Sequence, residues 1–257
     1  MTLLGRWLAH PLTRDLHPDD PATTTARRDI IAAKPFLRRI YEEWYAKLIE
    51  RLPSAGGEIL ELGSGAGFFA ERCPAATTSE VFLCPGIKCV VDARRLPFGD
   101  AALRAIVMTD VMHHIPDVEA FLAEAQRTLR RGGRIVMVEP WLSGWSSIVY
   151  RTLHSEPFRP DASTWRFPSA GPLSGANSAL PWIVFERDLE TFRRRFPDFH
   201  LVTIEPFMPF RYLLSGGVST RISMPGWTFP FWRWVEEVIA PWRRHLAMFA
   251  LIEIERR

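Results

Sequence analysis

The stretch EILELGSGAGFF, residues 58–69, constrains this chain more than any other. A short apolar run carrying two acids, Glu58 and Glu61, breaks into glycines at alternate positions, Gly63, Gly65 and Gly67. A buried strand that ends in backbone without side chains lets main chain approach a ligand at the carboxyl edge of an open α/β sheet. Residues 77–140 have the same grammar. TTSEVFL (77–83), IKCVV (87–91), RAIVMTD (104–110) and RIVMVEP (134–140) read as further buried strands. PDVEAFLAEAQRTLRRGG (116–133) predicts a helix that Asp117 caps, that Arg130 and Arg131 complement at its negative end, and that Gly132–Gly133 stop. Continuously apolar strands separated by helical stretches predict an α/β fold with a mostly parallel sheet covered on both faces.

The glycine loop excludes two common ligands. A dinucleotide fingerprint needs a third glycine where Phe68 stands, and a phosphate-cradling Walker loop needs a lysine that is not nearby. The remaining pattern is acid-x-Gly-x-Gly-x-Gly, Glu61 to Gly67. It suits a ligand that joins an ammonium to a nucleoside and carries no phosphate, as S-adenosyl-L-methionine does.

With ELGSGAG (61–67), DARRLPFGD (92–100), VMTDVMHHIPD (107–117) and LRRGGRIVMVEP (129–140) in that order, the chain resembles the class I S-adenosylmethionine-dependent methyltransferases, of the type 11-like kind that modifies small molecules and lipids. The resemblance covers roughly residues 56–140. It implies a Rossmann-like, seven-stranded sheet with helices on both faces and an antiparallel last strand, for which HLAMFALIEIE (245–255) is the candidate. It also implies roles. Glu61, Gly63, Ser64, Gly65 and Gly67 would hold the methionine moiety, and Glu80 the ribose hydroxyls, with Ser79 or Cys84 as competitors for that position. Asp92 and the Ala93 N–H would meet the adenine, and Thr109 and Asp110 the sulfonium side. The linker from Glu80 to Asp92 is too short for the helix that the family usually places there. His113 and His114 follow the fourth strand, near where the methyl group would point. Either is a candidate general base, His114 the preferred one. No metal is implied, because the neighbouring carboxylates are assigned to the cofactor.

Outside this core the expected organisation is an N-terminal arm and cap helices over 1–55, then a cofactor-binding domain over 56–257 with insertions at 141–183 and 208–244 forming a substrate cap. The arm, residues 1–23, gives way to a helical stretch broken at Pro35, whose second half presents Phe36, Leu37, Ile40, Tyr41, Trp44 and Leu48 on one face. That face reads as core packing, with Tyr41 or Tyr45 as pocket-lining alternatives. Eight of the ten tryptophans lie beyond residue 140. In the irregular 141–183 region Trp165, Arg166, Ser174 and Asn177 are candidate substrate contacts. The aromatic and basic segment within 208–244 reads either as a lid on the core or as a patch that meets lipid headgroups at a membrane surface. A net charge of +3 with no dense basic block argues against nucleic acid. Three cysteines without metal-ligand spacing and no long apolar run predict a cytoplasmic protein, at most peripheral to the inner face of the membrane. The expected activity is methyl transfer to a small-molecule, glycan or lipid-linked acceptor, with oxygen favoured. The alternative is a catalytically inactive cofactor-binding scaffold.

Overall fold

Side chains alternate across each central strand, and here both alternating sets are apolar. In the computed structural model, which describes residues 9–54, 56–154, 156–171 and 173–257, seven strands form one sheet. They are β1 (Glu58–Leu62), β2 (Ala76–Glu80), β3 (Cys89–Val90), β4 (Leu103–Thr109), β5 (Leu129–Pro140), β6 (Phe199–Phe207) and β7 (Phe249–Arg256). Their order is β3-β2-β1-β4-β5-β7-β6, and β7 alone runs antiparallel to its neighbours. The mostly parallel sheet with an antiparallel last strand is as the sequence predicts.

Around it lie α1 (Pro21–Ala33), α2 (Pro35–Glu50), α3 (Phe69–Arg72), α4 (Val118–Thr128), α5 (Gly144–Thr152), α6 (Leu189–Arg195), α7 (Arg211–Ser215) and α8 (Phe229–Val238), with shorter turns between them. Leu60, Ile106, Met108, Ile135, Met137 and Ile252 point to one face, where Phe121 and Leu122 of α4 and Phe192 of α6 cover them. Ile59, Val107, Val136, Val138 and Leu251 point to the other, against Phe36, Ile40, Trp44 and Leu48 of α2. Each of those α2 side chains, fully buried, contributes about 1.5–3 kcal/mol.

Proline disfavours helical backbone in the residue before it, so Lys34 is extended and splits α1 from α2. Its buried ammonium donates to the carbonyls of Ser215, Gly217 and Thr220 at 3.3, 2.9 and 2.5 Å. Burial pulls its pKa down to about 8. Lys34→Ala would leave those carbonyls without their donor, with an expected loss of about 2–3 kcal/mol. Urea denaturation measures it. An unchanged midpoint would show that the joint is held by Pro35 alone.

Several element boundaries differ from the sequence expectation. α4 ends at Thr128, and Leu129, Arg130 and Arg131 belong to β5 instead of completing the helix. The Thr128 hydroxyl closes the last turn on the Glu124 carbonyl, and the fully buried Leu129 is pulled into the sheet opposite Leu103. β2 stops at Glu80, short of Leu83, because the Glu80 carboxylate takes the next N–H, that of Val81. The last strand begins at Phe249, after a short helical turn over Arg243–Leu246. The region 141–183, without visible periodicity, contains α5, whose start is a reciprocal cap between Ser143 and Ser146. A π-helical turn, Ile183–Arg187, leads into α6. The first eight residues of the expected arm lie outside the described residues.

Candidate functional site

A cleft of about 600 Å³ opens at the carboxyl ends of the strands and is lined by Gly63, Glu80, Asp92, Ala93 and His114. β1 lies between β2 and β4, so the chain leaves β1 toward one side of the sheet and returns on the other. Crevices at such a reversal of strand order are where open α/β sheets receive ligands.

Protein contacts account for each glycine. Gly63 has φ +70°, and a Cβ there would strike Val111. At Gly65 it would strike the Thr24 methyl and come within 2.7 Å of Glu80 Oε2. At Gly67 it would strike the Tyr45 hydroxyl, which accepts from the Phe68 N–H at 3.1 Å. Phe68 itself packs edge-on against Tyr45, centroids 4.9 Å apart.

Beside the loop, Glu61 is 4% exposed and its Oε2 has no hydrogen-bond partner among the described residues. Burial, with the Glu80 charge adding, pushes its pKa up to about 7. The hydroxyls of Ser64 and Ser79 both donate to the Glu61 carbonyl, at 3.2 and 2.7 Å, and Ser64 Oγ also accepts from the Ser79 N–H. Ser64 and Ser79 are therefore turned inward, locking β1 to β2. Glu80 faces the cleft. Its oxygens accept from the N–H groups of Gly65 at 3.1 Å and Val81 at 2.8 Å, and a carboxylate has lone pairs for two further donors. Burial raises its pKa above the ordinary carboxylate value against those two bonds. Cys84 is buried and does not line the cleft. Asp92, across the cleft, holds the Arg94 guanidinium at 2.8–3.2 Å, and these bonds keep its carboxyl below the usual range.

Thr109 ends β4, and Asp110 follows in the left-handed region, φ +63°. That conformation is uncommon for a residue with a side chain, and the Asp110 N–H to Val138 carbonyl bond of 2.8 Å holds it. Burial pushes the Asp110 carboxyl up to about 7. Tyr41 and Tyr45 are both buried.

The two histidines sit in different environments. The fully buried Glu139 of β5 accepts from the N–H groups of Val111 and Met112 at 2.9 and 2.7 Å, and its second oxygen meets His113 Nδ1 at 2.9 Å. His113 Nε2 lies 3.3 Å from Glu156 Oε2. Burial alone would lower the His113 pKa, but these two carboxylates raise it well above the ordinary value. His114 lines the cleft and meets the Gly175 carbonyl through Nδ1 at 3.2 Å. Burial and then the His113 charge pull it down to about 4, so the ring is neutral.

The cleft's roof comes from Arg166, Phe167, Ser169, Ala170, Gly171 and Leu173. Arg166 lines it and pairs with Asp117 and Glu119. The other suggested contacts lie elsewhere. Trp165 is buried and donates to Asp188 at 2.9 Å. The Asn177 side chain is spent on the Arg159 backbone, and Ser174 is held by its N–H to Asp19 at 2.9 Å. Asp19 also takes the Leu173 N–H at 2.6 Å, tying the arm to the roof. Sequence reasoning missed Glu139, Glu156 and Asp19. Glu139 stands in a recognised strand, but nothing in the spacing shows that it, alone in a run of apolar residues, faces the turn after β4.

Residues 60–137 match the protein family described as "Methyltransferase domain". A demethylmenaquinone methyltransferase of Mycolicibacterium paratuberculosis is 30% identical over 39% of this chain and 48% of its own. The Thermus thermophilus protein of the same description is 29% identical over 42% of this chain and 60% of its own. The chain thus spans about half the length of these relatives. Among solved structures, a chain of a methyltransferase–activator complex from Haloferax volcanii superposes with a TM-score of 0.50 at 15% identity, over 89% of this chain and 96% of its own, a likeness of fold.

Proposed function

We propose that the protein, whose residues 60–137 match the methyltransferase-domain family, transfers a methyl group from S-adenosyl-L-methionine to a small-molecule acceptor, a hydroxyl of a glycan or lipid-linked compound being favoured. One observation carries the reading: Glu61, buried one residue before the cleft-lining Leu62 and Gly63, has an Oε2 with no partner among the described residues, beside a cleft that Glu80 and Asp92 line. The donor set fits the cofactor. Glu61 would take its ammonium, Glu80 its vicinal hydroxyls, and Asp92 with the Ala93 N–H its adenine, once Asp92 shares the oxygens now held by Arg94.

When bound, the cofactor supplies an electrophilic methyl group on sulfur. The chain's own part is alignment and exclusion of water, which dominate the rate of such displacements. Gly63 would bring backbone against the ligand, and Arg166, Phe167, Ala170 and Leu173 would cover the nucleoside side. Of the two histidines only His114 lines the cleft, so a role at the acceptor would fall to it, as a neutral ring. The regions 141–183 and 208–244 would shape acceptor entry.

Calorimetric titration with S-adenosylhomocysteine tests the reading. An ammonium needs ionised Glu61, so with a pKa near 7 the affinity should rise about tenfold from pH 6 to pH 8, with proton release. Glu61→Gln should flatten that profile. For the free protein the sign is opposite: stability from this raised carboxyl is full below its ordinary 4.5 and lost as pH rises through about 7. No heat at either pH sinks the cofactor reading. Binding without transfer of labelled methyl into any lipid, glycan or soluble pool of a lysate would leave a scaffold.

The aromatic segment supports a peripheral membrane contact. Phe231, Trp234 and Val238 share one face of α8, Trp227 stands in the turn just before it, and each is more than half exposed, with Trp242, Arg243 and Arg244 beyond them. The opposite face of α8 is fixed by Glu236, which holds Arg211 at 2.6 Å. No helix among the described residues is long and apolar enough to cross a membrane. Trp227→Ala with Trp234→Ala should cut sedimentation with anionic vesicles at least fivefold and leave S-adenosylhomocysteine affinity unchanged. Equal sedimentation by both proteins would make the segment a lid.

A further inference from the structure

Three groups with lone pairs converge beside the cleft in a way that hydrogen bonding leaves unresolved. A carbonyl oxygen only accepts, so His114 Nδ1 carries the proton donated to Gly175, and Nε2 is the ring nitrogen left for another partner. That Nε2 lies 3.6 Å from another acceptor, Glu156 Oε1. His113 repeats the arrangement, with Nδ1 on the Glu139 carboxylate and Nε2 3.3 Å from Glu156 Oε2. A proton on His113 Nε2 satisfies one of these contacts and leaves the other as two facing lone pairs.

We propose that His113 Nε2, His114 Nε2 and the Glu156 carboxylate form a binding site for one divalent transition-metal ion of the Zn²⁺ type. The ligand atoms lie within 4.8 Å of one another. His113 Nε2 lies 3.3 Å from one Glu156 oxygen and His114 Nε2 3.6 Å from the other, separations close to the roughly 3.4 Å between ligand atoms set about 2.1 Å from a tetrahedral centre, so that one carboxylate reaches both imidazoles. Each imidazole is anchored through its other nitrogen, one by a carboxylate and one by a backbone carbonyl, and such partners orient metal-binding histidines. The donor set, two imidazoles and one carboxylate, suits Zn²⁺ over Mg²⁺ or Ca²⁺, which prefer all-oxygen shells. Three protein ligands leave a coordination position open, and His114 places it at the cleft wall. The site stands on this geometry alone, whether or not the chain transfers methyl groups.

Co²⁺ titration of chelator-treated protein reads the site directly. The expected result is one Co²⁺ per chain, with the intense visible bands of a low-coordinate ion, displaced by stoichiometric Zn²⁺. Glu156→Gln and His114→Ala should each weaken Co²⁺ binding at least tenfold, and His200→Ala with His245→Ala should not weaken it. Zn²⁺ should also raise the wild-type melting temperature and fail to raise that of Glu156→Gln, which separates lost binding from lost folding. A featureless, aquo-like Co²⁺ spectrum, or wild-type affinity in Glu156→Gln, overturns the site.

Discussion

Glu139→Ala should lower stability by about 3–5 kcal/mol. The carboxylate is fully buried in β5 and binds the Val111 and Met112 N–H groups and the His113 ring. Removing it leaves two buried donors and an imidazolium with one partner instead of two. At about 4 kcal/mol the folded-to-unfolded ratio falls roughly a thousandfold, since each 1.4 kcal/mol is about a factor of ten. Glu139→Gln keeps an oxygen for both backbone donors and should cost less than half as much. Denaturant unfolding of the three proteins measures this. A loss under 1 kcal/mol in the alanine variant would mean that the turn after β4 is held by its own backbone.

Glu80→Ala should weaken S-adenosylhomocysteine binding about a hundredfold. Two charge-assisted bonds to ribose hydroxyls would go, each worth roughly 1.5 kcal/mol or more. The Gly65 N–H would lose its acceptor as well, loosening the loop before any ligand arrives. Val81 is nearer the surface, so its freed N–H finds water, and the melting temperature should fall by only a few degrees. Affinity within threefold of the wild type, by calorimetry, would remove Glu80 from the ribose and return the position to an unassigned group.

The sheet was legible in the sequence because its signals are local. β1, β4 and the apolar part of β5 are runs whose two faces are both apolar, and a run of that kind has few other solutions. Glu80 and Asp92 were singled out by the family resemblance rather than by these runs, and both line the cleft. Boundaries were less legible where a side chain competes with the backbone, as Glu80 does in ending β2 and the Thr128 hydroxyl in ending α4. Tertiary pairing was not legible. Glu156 lies in an irregular stretch 43 positions beyond His113 and reaches it only because that stretch folds back over the sheet. Ser64 illustrates the converse: it sits inside the glycine motif, yet its hydroxyl serves the β1–β2 joint and not the cleft.

One carboxylate, Asp19, clasps the consecutive amides of Leu173 and Ser174, residues more than 150 positions away in the chain. The cleft wall at Leu173 is thus jointly owned by two remote stretches of polypeptide. A fusion partner joined ahead of α1 is therefore expected to alter the residence time of a cleft ligand even though it touches nothing inside.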